Sequence, residues 1–560
     1  MFLRIYQGFL KATPKKDVLF LFILFAGLYF GLSTLRPLAN PDEGRYVEIP
    51  REMLATGNWI TPRLNGILYF EKPPAFYWLQ ALSLKIGGVH EGVARFWNCS
   101  FAVLGVLATY ATASMLYGRR VGLLAALFLG LSPIYFAMGH VITLDMMFSC
   151  CIAFGFFAFI KGDSLELNHK TRFWWFMGFY TALSLGVLTK GLVALLVPGA
   201  ILLLWMALCH EWKALRHLYI LPGLILSLCI TVPWHILAAL ETPEFAYFYL
   251  VHEQFLRYLK PLHGRGQPFW FFTAMLLVGF LPWSIVLISY FKKVLSSPLK
   301  VLRGHRIEAL LLIWGVFFVV FFSCSKSQLV PYILPSFFPF AILVGAMVDP
   351  LLSRAEKLSS YLKIAFTIYA SSLLIAALAL PAVLLYEGLP RGCIVFACVL
   401  SAASVTLALL KLQAIKQHKI RDIVILMVMT FILIAASCNF LLRYARPSTK
   451  PFALYLKPLL KPGDGVFQVY NYYQDFPAYL EQLTGVVDRP DEQKFGLSLE
   501  DHSDRYPTEA EFFKQWKSSK TLYALIRAKH LERFIQTVHD PIYTHILMQD
   551  KEYVLLKNKN

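Results

Sequence analysis

Charged residues are scarce in this chain of 560 residues, and their scarcity narrows the classes of protein it can belong to. Only 16% of the residues are Asp, Glu, Lys or Arg, whereas 57% are hydrophobic. The sequence contains no Walker-type phosphate loop, no GxGxxG motif, no internal repeat and no low-complexity tract, which argues against nucleotide chemistry. The nine cysteines all lie in or beside apolar stretches, so the pattern predicts neither a disulfide framework nor a cysteine metal site.

Long apolar runs are abundant instead. A helix of about 20 apolar residues crosses the roughly 30 Å hydrocarbon core of a bilayer, and the chain has about thirteen such runs, which predict a polytopic α-helical membrane protein. The predicted spans are residues 17–36, 97–116, 121–138, 141–161, 172–187, 190–208, 217–239, 270–291, 307–323, 332–348, 361–386, 392–411 and 421–440. Lysines precede the first span and no small-residue cleavage site follows it, so we expect a retained helix with its N-terminus inside.

Lysines and arginines are concentrated in alternate loops, such as 119–120, 161–172 and 292–306, and the positive-inside rule places these loops in the cytoplasm. An odd number of spans then puts the tail from about residue 443 outside, in the periplasm of a bacterial inner membrane. The net charge of +19 follows largely from this topology and favours contact with anionic membrane lipids. It does not indicate nucleic acid.

Hydropathy falls after Pro447, which predicts two domains. Residues 1–445 form a transmembrane domain with two long outer loops, 37–95 and 240–268, and residues 446–560 form a periplasmic α/β domain. The tail predicts strands at 465–470, 521–526, 545–548 and 553–556 and helices at 476–483, 509–516 and 529–537. Amphipathic stretches in the outer loops, 46–54 and 245–258, are expected to lie along the membrane interface and cap the bundle.

The unusual polar residues nearly all fall at the outer ends of spans or in the outer loops. Asp145 lies just inside a span, where a carboxylate costs about 2.5–3.5 kcal/mol on insertion scales, so it needs a partner or a function. Lys190 lies at an outer turn, where it either snorkels to the lipid head groups or contacts a ligand. Glu43 and Glu48 are expected to be solvated or helix-capping residues.

At these positions the chain resembles a known family. An Asp-Glu pair at 42–43, Tyr-Phe-Glu-Lys-Pro-Pro at 69–74, Leu-Thr-Lys-Gly at 188–191 and Pro-Tyr-Ile-Leu-Pro at 331–335 are similar to the polyprenyl-phosphate-dependent glycosyltransferases of the GT-C superfamily. The closest resemblance, over the full chain, is to the lipid A 4-amino-4-deoxy-L-arabinose transferases. It implies a sugar donor carried on undecaprenyl phosphate and lipid A as the acceptor. We expect a monomer.

The predicted site residues fall into three groups: catalytic Asp42 and Asp145; substrate-binding Arg45, Tyr46, Tyr69, Lys72, Lys190, Lys326 and Tyr332; and Glu71 with His252 as ligands of a divalent Zn, Mg or Mn ion. Arg45 and Lys72 suit a phosphodiester that gains negative charge as its glycosidic bond breaks. If the acceptor is a sugar hydroxyl, Asp42 is a general base. A lipid A phosphate needs no base, and Asp42 would then orient the donor or hold a cationic aminosugar.

Two departures from the family pattern bear on specificity. Gln328 occupies a position where a basic residue is expected, and the run 94–98 is bulkier than expected; either change could alter the sugar or the acceptor. The alternatives are a transferase that uses another lipid-linked sugar or a protein or glycan acceptor, a lipid transporter, and a membrane scaffold with a periplasmic binding domain. Transporters tend to carry ionisable residues at the bilayer midplane and internal repeats, whereas here the charges lie at one face.

Overall fold

A computed structural model describes residues 13–164, 167–259, 266–298, 301, 304–353, 358–386, 391–445, 447–487, 493–538 and 544–559. The predicted cytoplasmic N-terminus, residues 1–12, lies outside the described residues.

Helices occupy every predicted span. Their bounds are Pro14–Leu32, Phe96–Tyr117, Arg119–Gly130, Pro133–His140, Asp145–Gly162, His169–Lys190, Val193–Cys209, Ile220–Glu241, Phe271–Gly279, Ser284–Ser296, Arg306–Ser323, Leu334–Ser353, Ser360–Tyr386, Arg391–Lys416 and Ile420–Ala445. Within the described part of the chain, eight helices are each long and apolar enough to cross a membrane, and one bent pair would add a ninth. The predicted polytopic helical fold class is confirmed.

Two spans that were predicted as continuous helices are broken. Arg119–Gly130 and Pro133–His140 meet at an angle of 62°, and Phe271–Gly279 is separated from Ser284–Ser296 by a short turn. A proline lies at each break, Pro133 at the start of the helix after the first and Pro282 within the second, and proline has no backbone N–H to continue an α-helix. The rings of Phe128 and Trp283 stack with centroids 4.0 Å apart. The two breaks therefore pack against each other, which hydropathy alone does not reveal.

The first outer loop contains the helices Asp42–Thr56, Ala75–Gly87 and Glu91–Ala94 and a hairpin of Arg63–Leu64 with Ile67–Leu68. The stretch 46–54 was predicted to lie along the membrane interface, and this prediction is wrong. Most residues of Asp42–Thr56 are buried because the helix packs between Ala75–Gly87 and the C-terminal domain. In the second outer loop, the π-helix Tyr247–Leu256 does leave apolar side chains exposed.

The C-terminal domain is built on one five-stranded sheet. The strands follow the spatial order Gly485–Val487, Gly465–Val469, Leu522–Arg527, Tyr553–Lys557 and His545–Gln549. The first three strands run parallel, and the last two pair antiparallel. Helices Lys450–Leu456, Asp475–Leu480, Lys494–Leu499, Glu509–Trp516 and Leu531–Val538 accompany the sheet. The small C-terminal α/β domain is confirmed. The three-residue strand Gly485–Val487, too short to show a period, and the short helices Lys450–Leu456 and Lys494–Leu499 were missed.

Candidate functional site

A cavity of about 420 Å³ opens at the end of the helical bundle that carries the C-terminal domain. Its polar end is lined by Lys72, Lys190, Arg257 and Tyr332, and its other end is apolar and follows the helix Val193–Cys209. Three cationic side chains therefore face the head of an apolar channel. Charged donors at the end of a channel with apolar walls suit a ligand that has an anionic head and a hydrocarbon tail.

Asp145 and Lys190, which were predicted separately, contact each other. Lys190 Nζ forms an ion pair with Asp145 Oδ1, and both side chains are about nine-tenths buried. The Lys190 ammonium also lies 4.3 Å from the ring centroid of Tyr332, a cation–π contact. Asp145 thus has the partner that its place inside a span requires, and Lys190 turns into the site instead of snorkelling to the lipid surface.

A second buried charge cluster joins the two outer loops. Arg257 Nη1 donates to Glu253 Oε2 at 2.6 Å and to Glu71 Oε2 at 3.2 Å, and Lys72 Nζ lies 3.6 Å from Glu253 Oε2. Burial, aided by the charge of Arg257, lowers the pKa of the Lys72 ammonium to about 8. Arg257 and Glu253 were not among the predicted site residues, although their i,i+4 spacing beside His252 was a sequence signal for an ion pair.

The arrangement of Glu71 and His252 does not fit a divalent metal. Glu71 accepts a hydrogen bond from Arg257, and His252 Nδ1 lies 3.2 Å from Glu253 Oε1. Among the described residues, no group of three or more His, Cys, Asp or Glu side chains is placed to hold a metal ion. The Zn, Mg or Mn ion stays a prediction, and Glu71 would have to ligate it beside the guanidinium of Arg257.

Asp42 is the most accessible carboxylate of the predicted set. It begins the helix Asp42–Thr56, and its side chain is 55% exposed. The guanidinium of Arg45 lies 3.8 Å from Asp42 Oδ1, lies 5.7 Å from the ring centroid of Tyr69 and donates to Gln474 Oε1 at 3.3 Å. A carboxylate that is held at a helix start and open to solvent is available to a ligand.

The aromatic residues beside Asp42 connect it with the cavity. Tyr46 packs on Phe76 and Tyr77, with centroids 5.6 and 5.8 Å apart, and is buried, so it contacts protein instead of solvent. The Tyr77 hydroxyl is buried, has no hydrogen-bond partner among the described residues, and interacts electrostatically with both Arg45 and Glu71. Tyr77 was missed by sequence reasoning because it lies in an apolar helical stretch. Tyr77 thus lies within electrostatic range of one member of each charge cluster.

Glu43 and Glu48 were predicted to be solvated or capping residues, and this prediction is wrong. Both are fully buried. Glu48 pairs with Arg51, and Glu43 binds the guanidiniums of Arg36 and Arg95. Burial by itself raises the pKa of the Glu43 carboxyl, but Arg95 and Arg36 outweigh burial and lower this pKa to about 2. The partner of Glu43 at position 95 is too far along the chain to be read from local sequence.

The loop before Leu334–Ser353 contributes less than its sequence suggested. Lys326 is exposed and is not among the residues that line the cavity. Gln328 is buried, and its amide nitrogen donates to the carbonyl oxygens of Ser323 and Ser325 at 3.0 and 2.9 Å. Gln328 therefore donates to backbone carbonyls at the end of a helix and is not among the residues that line the cavity. Its contacts do not support an effect on sugar or acceptor choice.

The C-terminal domain contacts the start of the helix that carries Asp42. Asp475 Oδ1 accepts a hydrogen bond from Asn40 Nδ2 at 2.5 Å, and the Asp475 amide donates to Asn40 Oδ1 at 3.0 Å. The hydroxyl of Tyr479 accepts from the amide of Leu38 at 2.8 Å. These contacts join residues about 440 positions apart, so the domain is part of the structure that positions Asp42.

Replacing Gly44 by Ala should weaken this contact. A Cβ at Gly44 would overlap the backbone of Gln474 and Asp475, and backbone atoms cannot rotate aside as a side chain can. We expect a loss of about 1–3 kcal/mol, measured as a lower melting temperature in detergent. Gly31→Ala is the matched control, because no atom lies within 4 Å of the added Cβ. Equal melting temperatures for the two variants would contradict the close contact.

Comparison with known proteins agrees with this architecture. Residues 16–249 match the family model of dolichyl-phosphate-mannose-protein mannosyltransferase, and residues 452–558 match that of the aminoarabinose transferase C-terminal domain. ArnT from Cupriavidus metallidurans, in a crystal structure bound to undecaprenyl phosphate, superposes with a TM-score of 0.82 at 25% identity and covers 98% of both chains.

Curated proteins of similar sequence point to the same family. An undecaprenyl phosphate-alpha-4-amino-4-deoxy-L-arabinose arabinosyl transferase from Erwinia tasmaniensis is 32% identical over 64% of this chain, and the chain spans 65% of that relative's length. The protein of the same name from Aeromonas hydrophila is 30% identical over 72% of this chain and 74% of its own length. The chain therefore belongs to the family of the undecaprenyl phosphate-alpha-4-amino-4-deoxy-L-arabinose arabinosyl transferases.

Proposed function

We propose that the chain is a membrane glycosyltransferase that transfers 4-amino-4-deoxy-L-arabinose from undecaprenyl phosphate to lipid A. The observation that carries the proposal is the cavity whose apolar end follows Val193–Cys209 and whose polar end holds Lys72, Lys190 and Arg257. An apolar channel accommodates a polyprenyl chain, and the cationic end accommodates its phosphate. The relatives named above are transferases of this sugar, which supports the same donor here.

The reaction occurs, in this proposal, on the periplasmic face of the inner membrane, in a monomer. The alternate loops rich in Lys and Arg support this orientation, because positive loops stay in the cytoplasm. The residues of the proposed site lie on the other side from these basic loops: Asp42 and Lys72 in the first outer loop, and Asp145 and Lys190 at the outer ends of predicted spans. The C-terminal domain contacts the Asp42 helix through Asn40 and lies on the same face.

The chemistry requires the bond between the sugar C1 and the phosphate oxygen to break. The electron pair stays on that oxygen, so the leaving undecaprenyl phosphate gains negative charge as the acceptor oxygen bonds to C1. Lys72 and Arg257 line the cavity where this charge develops, and fixed cations in a poorly hydrated pocket lower the barrier by stabilising it. Their carboxylate partners, Glu71 and Glu253, hold both cations in place before the donor arrives.

Asp42 has one of two roles, and the acceptor decides which. With a hydroxyl acceptor it removes the proton from the attacking oxygen. With a lipid A phosphate, whose oxygen is already ionised, it orients the donor or binds the ammonium of the aminosugar. The exposed side chain of Asp42 is compatible with either role.

The test is transfer in a defined system. The detergent-purified protein is incubated with lipid A and undecaprenyl-phosphate-linked 4-amino-4-deoxy-L-arabinose, and the products are measured by mass spectrometry. We expect lipid A to gain the mass of one aminopentose. No gain with a folded protein would overturn this donor and acceptor pair, and a gain on a protein or glycan acceptor instead would identify a different transferase.

Lys72 should make donor use depend on pH. Because the pKa of Lys72 is lowered to about 8, its side chain is positively charged below that pH and loses this charge as the pH rises through it. We expect kcat/KM for the donor, which reports the free enzyme, to fall above pH 8 by about tenfold per unit. The Lys72→Arg variant keeps its charge at high pH and should not show this fall. Identical profiles for the two proteins would exclude Lys72 as the titrating group.

A further inference from the structure

Two further cavities meet at Arg36, on the outer side of the first span. One, of about 340 Å³, is mainly apolar and lies among membrane-spanning helices beside Phe136, Tyr369 and Phe431. The other, of about 300 Å³, is polar and lies between the first outer loop and the C-terminal domain. Arg36 lines both, and neither shares a lining residue with the cavity that contains Lys72. The adjoining pair thus offers an apolar compartment in the bundle and a polar one above it.

The polar cavity contains a donor that is not satisfied by the protein. It is lined by Tyr473, Arg527 and Tyr553. Arg527 Nε has no hydrogen-bond partner among the described residues, and the buried Tyr473 hydroxyl has the Arg527 guanidinium as its hydrogen-bonding neighbour. Buried donors without partners cost about 1–3 kcal/mol each unless water or a ligand satisfies them. A guanidinium and a phenol that converge on one cavity suit a phosphate oxygen.

Acidic groups near this cavity are already engaged. The carboxylate of Asp475 accepts from Asn40 Nδ2 and from the backbone amide of Thr449. Glu552 is the other acidic neighbour of the Tyr553 and Arg527 pair, and it lines a more open cavity together with Lys450 and Lys551. The lysines offset that carboxylate, so the surroundings do not repel an anion.

The polar cavity also adjoins the candidate catalytic residue. Asn40 lines it, and Asp42 follows two residues later at the start of its helix. The segment 473–475 lies between them: Tyr473 faces the cavity, while the side chain of Gln474 accepts a hydrogen bond from Arg45. A head group in this cavity is therefore separated from Arg45 and Asp42 by one short segment.

We propose that these two cavities bind the acceptor lipid, with acyl chains in the apolar cavity and a phosphate of its sugar head group against Arg527 and Tyr473. The inference rests on the proposed function and adds the place of the second substrate. A lipid with one phosphate bound at Arg527 has a second phosphate free to reach Asp42. Donor and acceptor would then approach Asp42 from cavities that share no lining residue, so each binds without displacing the other.

Binding in the absence of donor tests this proposal independently of transfer. Native mass spectrometry of the full chain in detergent measures affinity for lipid A with two phosphates, for its monophosphorylated form and for phosphatidylglycerol. We expect Arg527→Gln to weaken binding of the bisphosphorylated and the monophosphorylated lipid about tenfold, as removal of a charged hydrogen bond would, because each form places one phosphate against Arg527. Arg533→Gln, an exposed residue of the same domain that pairs with Glu509, should leave both affinities unchanged.

A more conservative substitution separates a loss of lipid binding from a loss of folding. Tyr473→Phe keeps the ring that packs on Tyr553 at 5.1 Å and removes only the hydroxyl. We expect it to weaken lipid A binding severalfold at an unchanged melting temperature. Equal lipid A binding by Arg527→Gln, Arg533→Gln and wild type would overturn the proposal, and so would phosphatidylglycerol that binds as tightly as lipid A and equally depends on Arg527. Failure of the transfer assay with intact Arg527-dependent binding would instead count against the proposed function.

Discussion

Replacing Asp42 by Asn should lower sugar transfer by at least about 100-fold, the lower end of what a general base contributes, while the protein folds and binds donor as before. The side chain is 55% exposed, and its ion pair with Arg45 is loose, at 3.8 Å. Although Arg45 is buried, the exposed carboxylate and the long separation limit the contribution of this pair to stability to about 1 kcal/mol or less. A large loss of turnover therefore reports a role in the reaction. The measurement is turnover at saturating donor, with donor KM and melting temperature recorded for the same sample.

Asp504→Asn provides the matched control, because it removes an equally charged and exposed carboxylate from the C-terminal domain. We expect it to transfer sugar at the wild-type rate. If the Asp42 and Asp504 variants were equally active, Asp42 would be a structural residue and the site would have to be reassigned. If the Asp42 variant lost only donor affinity, its role would be to hold the donor.

The acceptor distinguishes the two roles of Asp42. A general base is needed for a hydroxyl acceptor and not for an ionised phosphate. With both kinds of acceptor in the same assay, base catalysis predicts a larger defect on the hydroxyl, whereas orientation of the donor predicts equal defects. The Arg45 guanidinium, held by Gln474 of the C-terminal domain, is placed to contribute to the second role.

The sequence predicts the parts of this fold that depend on local pattern. Apolar runs locate the membrane helices, and alternating runs locate four of the five strands, because hydropathy and period are local properties. The breaks beside Ser132 and Pro282 were missed, since a proline in a membrane helix is compatible with both a kink and a turn. The burial of the helix Asp42–Thr56 was missed because part of the surface that covers it belongs to residues more than 400 positions later.

The site was predictable in its residue types and not in its pairings. Asp145 required a partner on energetic grounds, and the structure identifies that partner as Lys190. Glu71 was assigned to a metal, whereas its carboxylate forms an ion pair with Arg257, from the other outer loop. Which carboxylate contacts which cation depends on how the two outer loops pack against each other. The spacing of residues along the chain does not reveal it. The adjacent acids Asp42 and Glu43 show this most sharply, since one is exposed and the other fully buried.

Replacing Glu43 by Gln should destabilise the protein by about 3–5 kcal/mol, the usual cost of removing one partner from a buried ion pair. Oε1 of Glu43 accepts from Arg36, Arg95 and the amide of Ile142, and Oε2 accepts from Arg36, Arg95 and the amide of Ala39, at distances of 2.6–3.1 Å. Every neighbour is a donor, so the NH₂ group of Gln would face three donors and leave two buried guanidiniums without their counter-charge.

Glu509→Gln is the control for this change, because Glu509 pairs with Arg533 at an exposed site, and we expect it to cost less than about 1 kcal/mol. The measurement is the melting temperature in detergent near neutral pH. The pKa of Glu43 in the folded protein is about 2, below its ordinary value, so its stabilisation is complete at neutral pH and is lost only as pH falls through the acidic range. The Glu43 defect should therefore shrink in strong acid. A Glu43→Gln protein as stable as Glu509→Gln would show that the buried pair does not hold the Asp42 helix to the first and second spans. An unstable Glu43→Gln protein, beside a stable and inactive Asp42→Asn, would show that one of these neighbouring carboxylates serves the structure and the other the reaction.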